Sequence, residues 1–257
     1  MLSCGIDSGS RTTKLVLLQD NNIIFSKVAP TGLRPELTAE KLLETAKETI
    51  IIAHESKLPT VVTGYGRNLI GKNRKKISEI SCHARGVNYF FPEAESIIDI
   101  GGQDSKGILI SKEGKVLDFV MNDRCAAGTG RFLEKVAEIL QIEINELSTI
   151  TLQHQQDLEI NSTCVVFAES EMIGMITRGI SPSDIAWSVH KAVARRTSNM
   201  VSSIPHKSEI IFTGGVALNR AMAECLSNEL DASIKTTENP YITGALGAAL
   251  FAGELNE

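Results

Sequence analysis

The sequence lacks several features that would place it in a specialised class of protein. Its 257 residues contain no apolar run long enough to span a bilayer, and Met1–Asp7 predicts a strand where an export signal would carry a basic and an apolar stretch. Lysine and arginine form no long stripe and the net charge is -5, which argues against binding to a nucleic-acid backbone. We therefore expect a cytoplasmic protein that binds neither membrane nor nucleic acid.

Cysteine is also scarce. The five cysteines are scattered along the chain, and none of them forms a Cys-x-x-Cys pair. Such a set does not suit a disulfide framework, and it argues against a zinc ion or an iron-sulfur cluster held by one chain, because each needs four ligands. A hydrophobic content of 42% with 22% charged residues instead indicates a globular protein of enzyme size.

Two short motifs have plain structural alternatives. The basic segment Gly71–Lys76 suits either a docking patch for an acidic protein or a solvated loop. The segment Gly66–Asn73 nearly matches the P-loop pattern, but Asn73 stands where the magnesium-binding hydroxyl belongs. We therefore do not expect a P-loop.

An internal repeat organises the chain. Residues Ile6–Leu18 align without a gap with Ile98–Ile110, and aspartate, glycine, hydroxyl and lysine residues fall in register. In both copies an apolar strand ends in an acidic residue, a glycine-containing turn follows, and a β-rich run returns antiparallel. Polar turns then lead to third strands at Ile23–Phe25 and Val116–Phe119. The sequence therefore predicts two three-stranded meanders.

A second pair of segments supports the duplication. Val61–Gly66 and Ile211–Val216 are both apolar strands that run into Thr-Gly. Each follows a segment with helical periodicity, Leu37–Ser56 in the first copy and Pro182–Ser203 in the second. Duplicated lobes of this kind leave a cleft between them.

The limits of the two lobes follow from the repeat. We predict an α/β protein whose first lobe spans residues 1–95 and whose second lobe spans residues 96–236. The C-terminal segment 237–257, with a predicted helix at Tyr241–Ala252, packs back on the first lobe.

The two turns of the repeat form a candidate phosphate site. Glycine lets main-chain N–H groups approach an anion closely, and neighbouring hydroxyls add donors. The candidate phosphate ligands are Gly9, Ser10, Thr12, Thr13, Gly101, Gly102, Gln103 and Ser105. Asp7 and Asp99 suit Mg²⁺, usually through water, and Lys14 suits phosphate as a counter-charge. One copy alone would read as an ordinary hairpin turn, whereas two copies in register favour the phosphate site.

Thr213–Asn219 is the candidate adenosine element. A strand that runs into Gly214 and Gly215 and then into a helix presents flat backbone to an aromatic ring. With the two Asp-x-Gly turns, this array resembles the phosphate 1, phosphate 2 and adenosine motifs of the acetate kinase, sugar kinase, heat-shock chaperone and actin superfamily. The resemblance covers nearly the whole chain and implies duplicated actin-like (ribonuclease H-like) lobes around an ATP cleft.

Cys125 and Cys164 occupy similar positions. Each precedes a predicted helix, and a helix N-terminus favours a thiolate or an anionic cluster. A buried structural role stays open at this point, because free cysteine is commonly buried. Two ligands per chain would supply half of a four-cysteine set, which a twofold dimer would complete.

The segments around these two cysteines carry a closer resemblance. Asp123–Phe132 and Cys164–Glu171, together with Asp99–Asp104, resemble the activator component of 2-hydroxyacyl-CoA dehydratases and the related ATPase subunits of benzoyl-CoA reductase. In that family a homodimer holds one bridging 4Fe-4S cluster, which implies Cys125 and Cys164 as ligands. The resemblance further implies ATP/ADP and Mg²⁺, ATP-driven transfer of one electron to a cluster-containing dehydratase or reductase, and ferredoxin or flavodoxin as electron donor.

The remaining cysteines receive no such assignment. We expect structural roles for Cys4, Cys82 and Cys225, and His83 in the Cys-His-Ala segment is interpreted as a histidine with a local partner.

We expect the attacking water to be oriented by Gln103 or by Asp104, between which the sequence does not choose.

Two other functional classes are open to a chain of this superfamily. The main alternative is a small-molecule, sugar-type kinase, which needs a deeper sugar pocket and a substrate-positioned aspartate. The short chain has few insertions from which to build them. An actin-like assembly protein or a chaperone-type binding module would need a further subdomain or a substrate domain.

Overall fold

The computed structural model of the protein describes residues 1–50, 58–122, 125–161 and 164–255. The backbone divides into two compact units. The first unit comprises Met1–Ala94, Ile110–Leu117 and Glu238–Glu257, and the second comprises Glu95–Leu109 and Asp118–Thr237.

Strands and helices alternate along most of the chain. The strands are β1 (Leu2–Ser8), β2 (Thr12–Gln19), β3 (Asn22–Pro30), β4 (Thr60–Thr63), β5 (Lys75–Lys76), β6 (Ser96–Ile100), β7 (Ser105–Ile110), β8 (Val116–Asn122), β9 (Glu209–Thr213) and β10 (Ser233–Thr236). The helices are α1 (Pro35–Ile50), α2 (Glu79–Phe90), α3 (Gly130–Leu140), α4 (Leu147–Thr151), α5 (Val165–Thr177), α6 (Pro182–Val201), α7 (Arg220–Leu230) and α8 (Thr243–Glu254).

The two sheets have the same strand order. The first runs β3-β2-β1-β4-β5, and the second, taken in the matching direction, runs β8-β7-β6-β9-β10. In each sheet the first strand of the meander pairs antiparallel with the second and parallel with the strand that follows the helical segment. The predicted α/β class, the two meanders and the duplication are therefore confirmed. The third strands are longer than predicted and extend to Pro30 and Asn122.

Helices cover both faces of the first sheet. Because side chains alternate along a strand, Leu15 and Leu17 of β2 pack in a cluster with α1, whereas Val16 and Leu18 pack in a cluster with α8. Helix α8 is apolar nearly all round, which is typical of a buried helix. Its buried residues also contact α2 and β1.

Helix α6 lies at the centre of the second unit. It begins after Ser181, whose hydroxyl accepts a hydrogen bond from Asp184 N–H at 3.1 Å, and Pro182 occupies the first turn, where no N–H is needed. Its apolar residues pack in one core cluster with residues of α3, α5 and α7. The helix ends at Val201, two residues before the predicted limit.

The other predicted segments agree with the structure in type and differ at their ends. Helix α1 begins at Pro35, before the predicted Leu37, and the predicted end at Ser56 lies outside the described residues. Helix α8 spans Thr243–Glu254 where Tyr241–Ala252 was predicted. Such shifts are ordinary at helix ends.

The segment that nearly matches a P-loop has another structure. It forms a 3-10 turn at Arg67–Leu69 and then enters the short strand β5. A P-loop runs from a strand into a helix, so its exclusion is confirmed. Among the helices of the described residues, none combines the length and the apolar character needed to cross a bilayer.

Candidate active site

The first half-site lies where β1 ends between β2 and β4. Asp7 pairs with Lys14 on β2 and with Thr63 on β4. Lys14 Nζ donates to Asp7 Oδ2 at 3.0 Å; Asp7 is buried, and Lys14 keeps 13% of its side-chain surface exposed. An ammonium has three donors, so Lys14 can bind an anion in addition to Asp7.

The turn after β1 is closed by its own backbone. Gly9 N–H donates to the Thr12 carbonyl at 3.0 Å. Thr13, a predicted phosphate ligand, is buried with its hydroxyl 3.0 Å from Thr31 Oγ1, whereas Ser10 and Thr12 are half-buried. The structure therefore directs the Thr13 hydroxyl into the unit and leaves Ser10 and Thr12 nearer its surface.

The second half-site repeats this arrangement with one addition. Asp99 pairs with Lys106 and Thr213 on the neighbouring strands, and Thr213 Oγ1 donates to Asp99 Oδ1 at 2.9 Å. Lys106 Nζ lies 3.2 Å from Asp99 Oδ2 and 2.7 Å from Asp104 Oδ2. The Lys106 side chain is only 2% exposed, so its buried charge is balanced by two carboxylates.

The turn after β6 has the same closing bond as the first. Gly101 N–H donates to the Asp104 carbonyl at 2.9 Å. Gly101 and Gly102 are half-buried and Gln103 is exposed, whereas Ser105 is buried. Of the predicted phosphate ligands in this turn, Gln103 is therefore the most accessible and Ser105 the least.

The N-terminus of α3 is bonded to this second turn. Gly130 N–H donates to Gly101 O and Arg131 N–H donates to Gly102 O, both at 2.9 Å. A Cβ atom on Gly130 would lie 3.0 Å from Gly101 O and 3.1 Å from Val216 Cγ2, so glycine permits the close approach. The sequence analysis missed this contact; the glycine at position 130, close to a predicted helix, was the one local signal for it.

The adenosine element has the predicted order of strand, Gly-Gly turn and helix. Strand β9 ends at Thr213, and Gly214 follows with φ 85° and ψ 176°, a conformation essentially restricted to glycine. A 3-10 turn at Gly215–Leu218 comes next, and Asn219 is the N-cap of α7.

Cys125 and Cys164 both precede helical segments, with one difference from the prediction. Cys164 is the N-cap of α5, whereas Cys125 precedes a 3-10 turn, and α3 begins only after Thr129. Cys125 is half-buried, with its carbonyl accepting from Asn122 Nδ2 at 3.0 Å, and Cys164 is exposed. The neighbouring motif residues 123–124 and 162–163 lie outside the described residues.

The other three cysteines are buried. Burial raises the pKa of the Cys4, Cys82 and Cys225 thiols to about 12. A metal ligand must be the thiolate, so these thiols are poorly suited to binding a cluster. Their burial agrees with the predicted structural roles.

His83 lies beside the first half-site. It is buried, and its Nδ1 lies 3.0 Å from Thr243 Oγ1 at the start of α8. A Cβ atom on Gly244 would lie 3.1 Å from Asp7 Oδ2 and 3.2 Å from His83 Nε2. The histidine thus joins α2 to α8 next to the Asp7 carboxylate, and it has the local partner that the sequence analysis expected.

Within the parts of the chain that the structure describes, no three side chains of histidine, cysteine, aspartate or glutamate converge as metal ligands.

Comparison with known proteins assigns this chain to a family. Residues 4–252 match the model of the BadF/BadG/BcrA/BcrD ATPase family. The chain belongs to this family. It is 40% identical over 252 residues to the 2-hydroxyisocaproyl-CoA dehydratase activator of Clostridioides difficile, covering 98% of this chain and 95% of that protein. It is likewise 40% identical over 255 residues to the activator of lactoyl-CoA dehydratase of Anaerotignum propionicum, covering 99% and 98%.

A solved structure extends the likeness to the fold. The activator of the 2-hydroxyisocaproyl-CoA dehydratase from Clostridium difficile, with bound ADPNP, superposes with a TM-score of 0.92 at 40% identity, covering 99% of this chain and 95% of that chain. The predicted family, the duplicated actin-like fold and the ATPase activity are therefore confirmed, and ATP is the nucleotide of this ATPase.

Proposed function

We propose that this ATPase couples ATP hydrolysis to the transfer of one electron from a 4Fe-4S cluster, shared by a homodimer, to a dehydratase or reductase that acts on an acyl-CoA. Reduced ferredoxin or flavodoxin is the proposed electron donor. Two relatives named as activators of acyl-CoA dehydratases, each 40% identical over nearly the whole chain, support the partner class.

The main structural support for the proposal is the contact between the second phosphate turn and the start of α3. The segment that begins at Cys125 is bonded to the second phosphate turn, because the first N–H groups of α3 donate to Gly101 O and Gly102 O at 2.9 Å. A displacement of this turn by the nucleotide would therefore be transmitted to the chain that carries Cys125. Within the second unit, these backbone hydrogen bonds therefore connect the proposed nucleotide site directly to the segment that carries Cys125.

The donor set of the two cysteines fits a shared cluster. Cys125 and Cys164 are the two cysteines that are not buried, and each stands at the N-terminal end of a helical segment, where the helix dipole favours an anionic group. Two chains supply the four thiolates that a 4Fe-4S cluster requires. When bound, the cluster would supply one-electron redox chemistry.

The surface next to Cys164 supports a homodimer. Val166 and Phe167, in the first turn of α5, are each 69% exposed. Ile173 and Ile176 are further exposed apolar residues of the same helix. Exposed apolar patches mark interaction sites in soluble proteins. A second copy that contributes its own Cys125 and Cys164 would cover this surface.

We further propose roles for the two half-sites in nucleotide binding. The proposed phosphate ligands are Gly9, Ser10, Thr12, Lys14, Gly101, Gly102 and Gln103. Thr13 is retained for its backbone alone, because its hydroxyl is buried. Asp7 and Asp99 would hold Mg²⁺ through water, and Gly214 and Gly215 would face the adenosine.

Gln103 is the better candidate of the two for orienting the attacking water. Asp104 accepts a hydrogen bond from Lys106 at 2.7 Å, which fixes its carboxylate toward the buried ion pair. Gln103 is exposed in the same turn, and an amide in this place can orient water by donating and accepting hydrogen bonds.

The cluster assignment is tested by iron content under anaerobic conditions. We expect the purified protein to contain about four iron atoms per two chains and to show iron-sulfur absorbance. The variants Cys125→Ala and Cys164→Ala should each lose both while still binding ATP. Cys225→Ala is the matched control, since it removes a buried thiol of the second unit and should keep the iron.

Stoichiometric iron in the Cys125→Ala/Cys164→Ala double variant would contradict the ligand assignment. ATP binding by the same variants, measured by calorimetry, shows whether the fold is intact and keeps the result independent of any partner enzyme.

A further inference from the structure

A histidine in the interior of the second unit is bonded to the residue that follows the adenosine turn. His190 lies on α6 and is fully buried. Its Nδ1 lies 2.7 Å from the Ala186 carbonyl, and its Nε2 lies 2.9 Å from Asn219 Nδ2. The hydrogen bonds therefore connect the central helix of the unit to the N-terminus of α7.

The partners determine where the proton of His190 lies. A carbonyl only accepts, so Nδ1 must carry the hydrogen and donate to Ala186 O. Nε2 is then the acceptor, and it receives a hydrogen bond from the Asn219 amide nitrogen. Burial lowers the pKa of His190 to about 4, against the opposing effect of the bonds to Ala186 and Asn219, so the ring is neutral near pH 7, as this arrangement requires.

His190 thereby fixes the orientation of the Asn219 side chain. With its nitrogen turned toward the histidine, Asn219 directs Oδ1 to Met222 N–H at 3.0 Å and caps α7. The backbone N–H of Asn219 donates to Val216 O at 2.9 Å and closes the 3-10 turn. One residue thus ends the turn at Gly215–Leu218 and begins the helix.

We propose that His190 is a positioning residue for the nucleotide. By orienting Asn219, it holds the backbone from Gly214 to Leu218 in the conformation that receives the adenine ring. The proposal rests on the proposed place of adenosine at Gly214 and Gly215. Because His190 is fully buried, its proposed effect on the nucleotide is exerted through Asn219.

Two variants break the connection in different ways. His190→Phe fills the space without an acceptor, and Asn219→Ser keeps an N-cap residue that is too short to reach the histidine. We expect both to raise KM for ATP about tenfold with kcat within about twofold, because loosening the turn weakens binding of ATP and of the transition state alike.

Ser227→Ala is the matched control. It removes a partly buried hydrogen bond from Ser227 Oγ to the Ala232 carbonyl at 2.7 Å. This bond lies near the C-terminal end of α7, away from the Gly215–Leu218 turn. It should lower the unfolding midpoint without changing KM for ATP. If His190→Phe and Asn219→Ser behave like this control, the role of His190 is structural only and the proposal is overturned.

The variant Gly215→Ala tests whether adenosine binds at this turn, independently of the role proposed for His190. If Gly215→Ala raises KM while the two connecting variants do not, the adenosine position stands and His190 is not a positioning residue. If none of the three changes KM, adenosine lies elsewhere and both ideas fail. Iron content is unaffected in either case, so the cluster assignment is judged by its own experiment.

Discussion

The two half-sites share a strand register and differ in how they surround their lysines. In the first, Lys14 contacts the single carboxylate of Asp7 and stays partly exposed. In the second, Lys106 is enclosed and contacts both Asp99 and Asp104. Lys106 is thus enclosed by two carboxylates, whereas Lys14 pairs with one carboxylate and keeps part of its surface exposed. Equal positions in a duplicated motif have therefore acquired different environments.

The turns that follow the paired strands differ in a similar way. After Gly64 the turn is held from its surface, because Arg67 Nη1 donates to the Gly64 carbonyl at 3.0 Å. After Gly214 the turn is held from the interior through Asn219 and His190. A buried histidine therefore supports the second turn, whereas a half-buried arginine supports the first.

The largest expected loss of stability comes from replacing the glycine that the two copies share after their paired strands. Gly64 and Gly214 both have positive φ, and an added Cβ would lie 2.3 Å from Asp7 Oδ1 in one and 2.4 Å from Ile100 O in the other. We expect Gly64→Ala and Gly214→Ala each to lower the free energy of unfolding by about 5 kcal/mol, from backbone strain and overpacking together. Urea unfolding, or loss of soluble protein, measures this.

Two other glycines provide the control for strain alone. Gly32 and Gly179 also have positive φ, but no atom lies within 4 Å of an added Cβ. Their alanine variants should cost about 1–2 kcal/mol. If Gly64→Ala costs no more than Gly32→Ala, the close contact with Asp7 is not what requires glycine.

The next largest loss of stability tests the difference between the two lysine environments. Lys106→Met leaves two carboxylates without their buried partner and should cost about 4 kcal/mol of stability. Lys14→Met leaves the single buried carboxylate of Asp7 without its partner and should cost less, about 3 kcal/mol. ATP affinity should show the reverse order, with the greater loss in Lys14→Met. Urea unfolding and calorimetric titration with ATP measure the two quantities.

The double variant Lys106→Met/Asp104→Asn sharpens this comparison. Removing one of the two carboxylates should recover part of the lost stability, because the two residues are in contact and their effects are not additive. Equal stability losses in Lys14→Met and Lys106→Met would show that the second carboxylate has no consequence.

Much of the fold was accessible from the sequence because its determinants are local. The gapless alignment of Ile6–Leu18 with Ile98–Ile110 fixes strand, turn and strand in both copies, since aspartate, glycine and apolar alternation act over a few residues. The same alignment contained the signal for the difference at Lys106. Asp104 stands where the first copy has Thr12, directly before β7 and two residues before the lysine that it contacts.

The remaining contacts depend on residues far apart in the chain. The bonds from Gly130 and Arg131 to the second turn, and from His190 to Asn219, join segments whose approach is determined by packing. An asparagine before a helix indicates a cap, but nothing local indicates that a histidine on α6 orients it. The side chain of Thr13, by contrast, lies on the same face of β2 as Leu15 and Leu17, as strand alternation requires.

The smallest effect tests whether the second turn is supported by a neutral histidine. The folded pKa of His190 is about 4, below its ordinary value of 6.5, so between these values the unfolded chain binds a proton that the folded protein does not. Stability is therefore fully present above about pH 6.5 and falls by about 1.4 kcal/mol per pH unit as the pH decreases toward 4. Urea unfolding at about pH 7 and about pH 5 should show this loss in the unmodified protein and a smaller loss in His190→Phe. Arg67→Ala is the control, because Arg67 supports the turn of the first copy and should keep the pH dependence of the unmodified protein. If the unmodified protein and His190→Phe lose the same stability between these pH values, His190 is protonated without cost in the folded state. The turn would then not depend on the neutral form of the histidine.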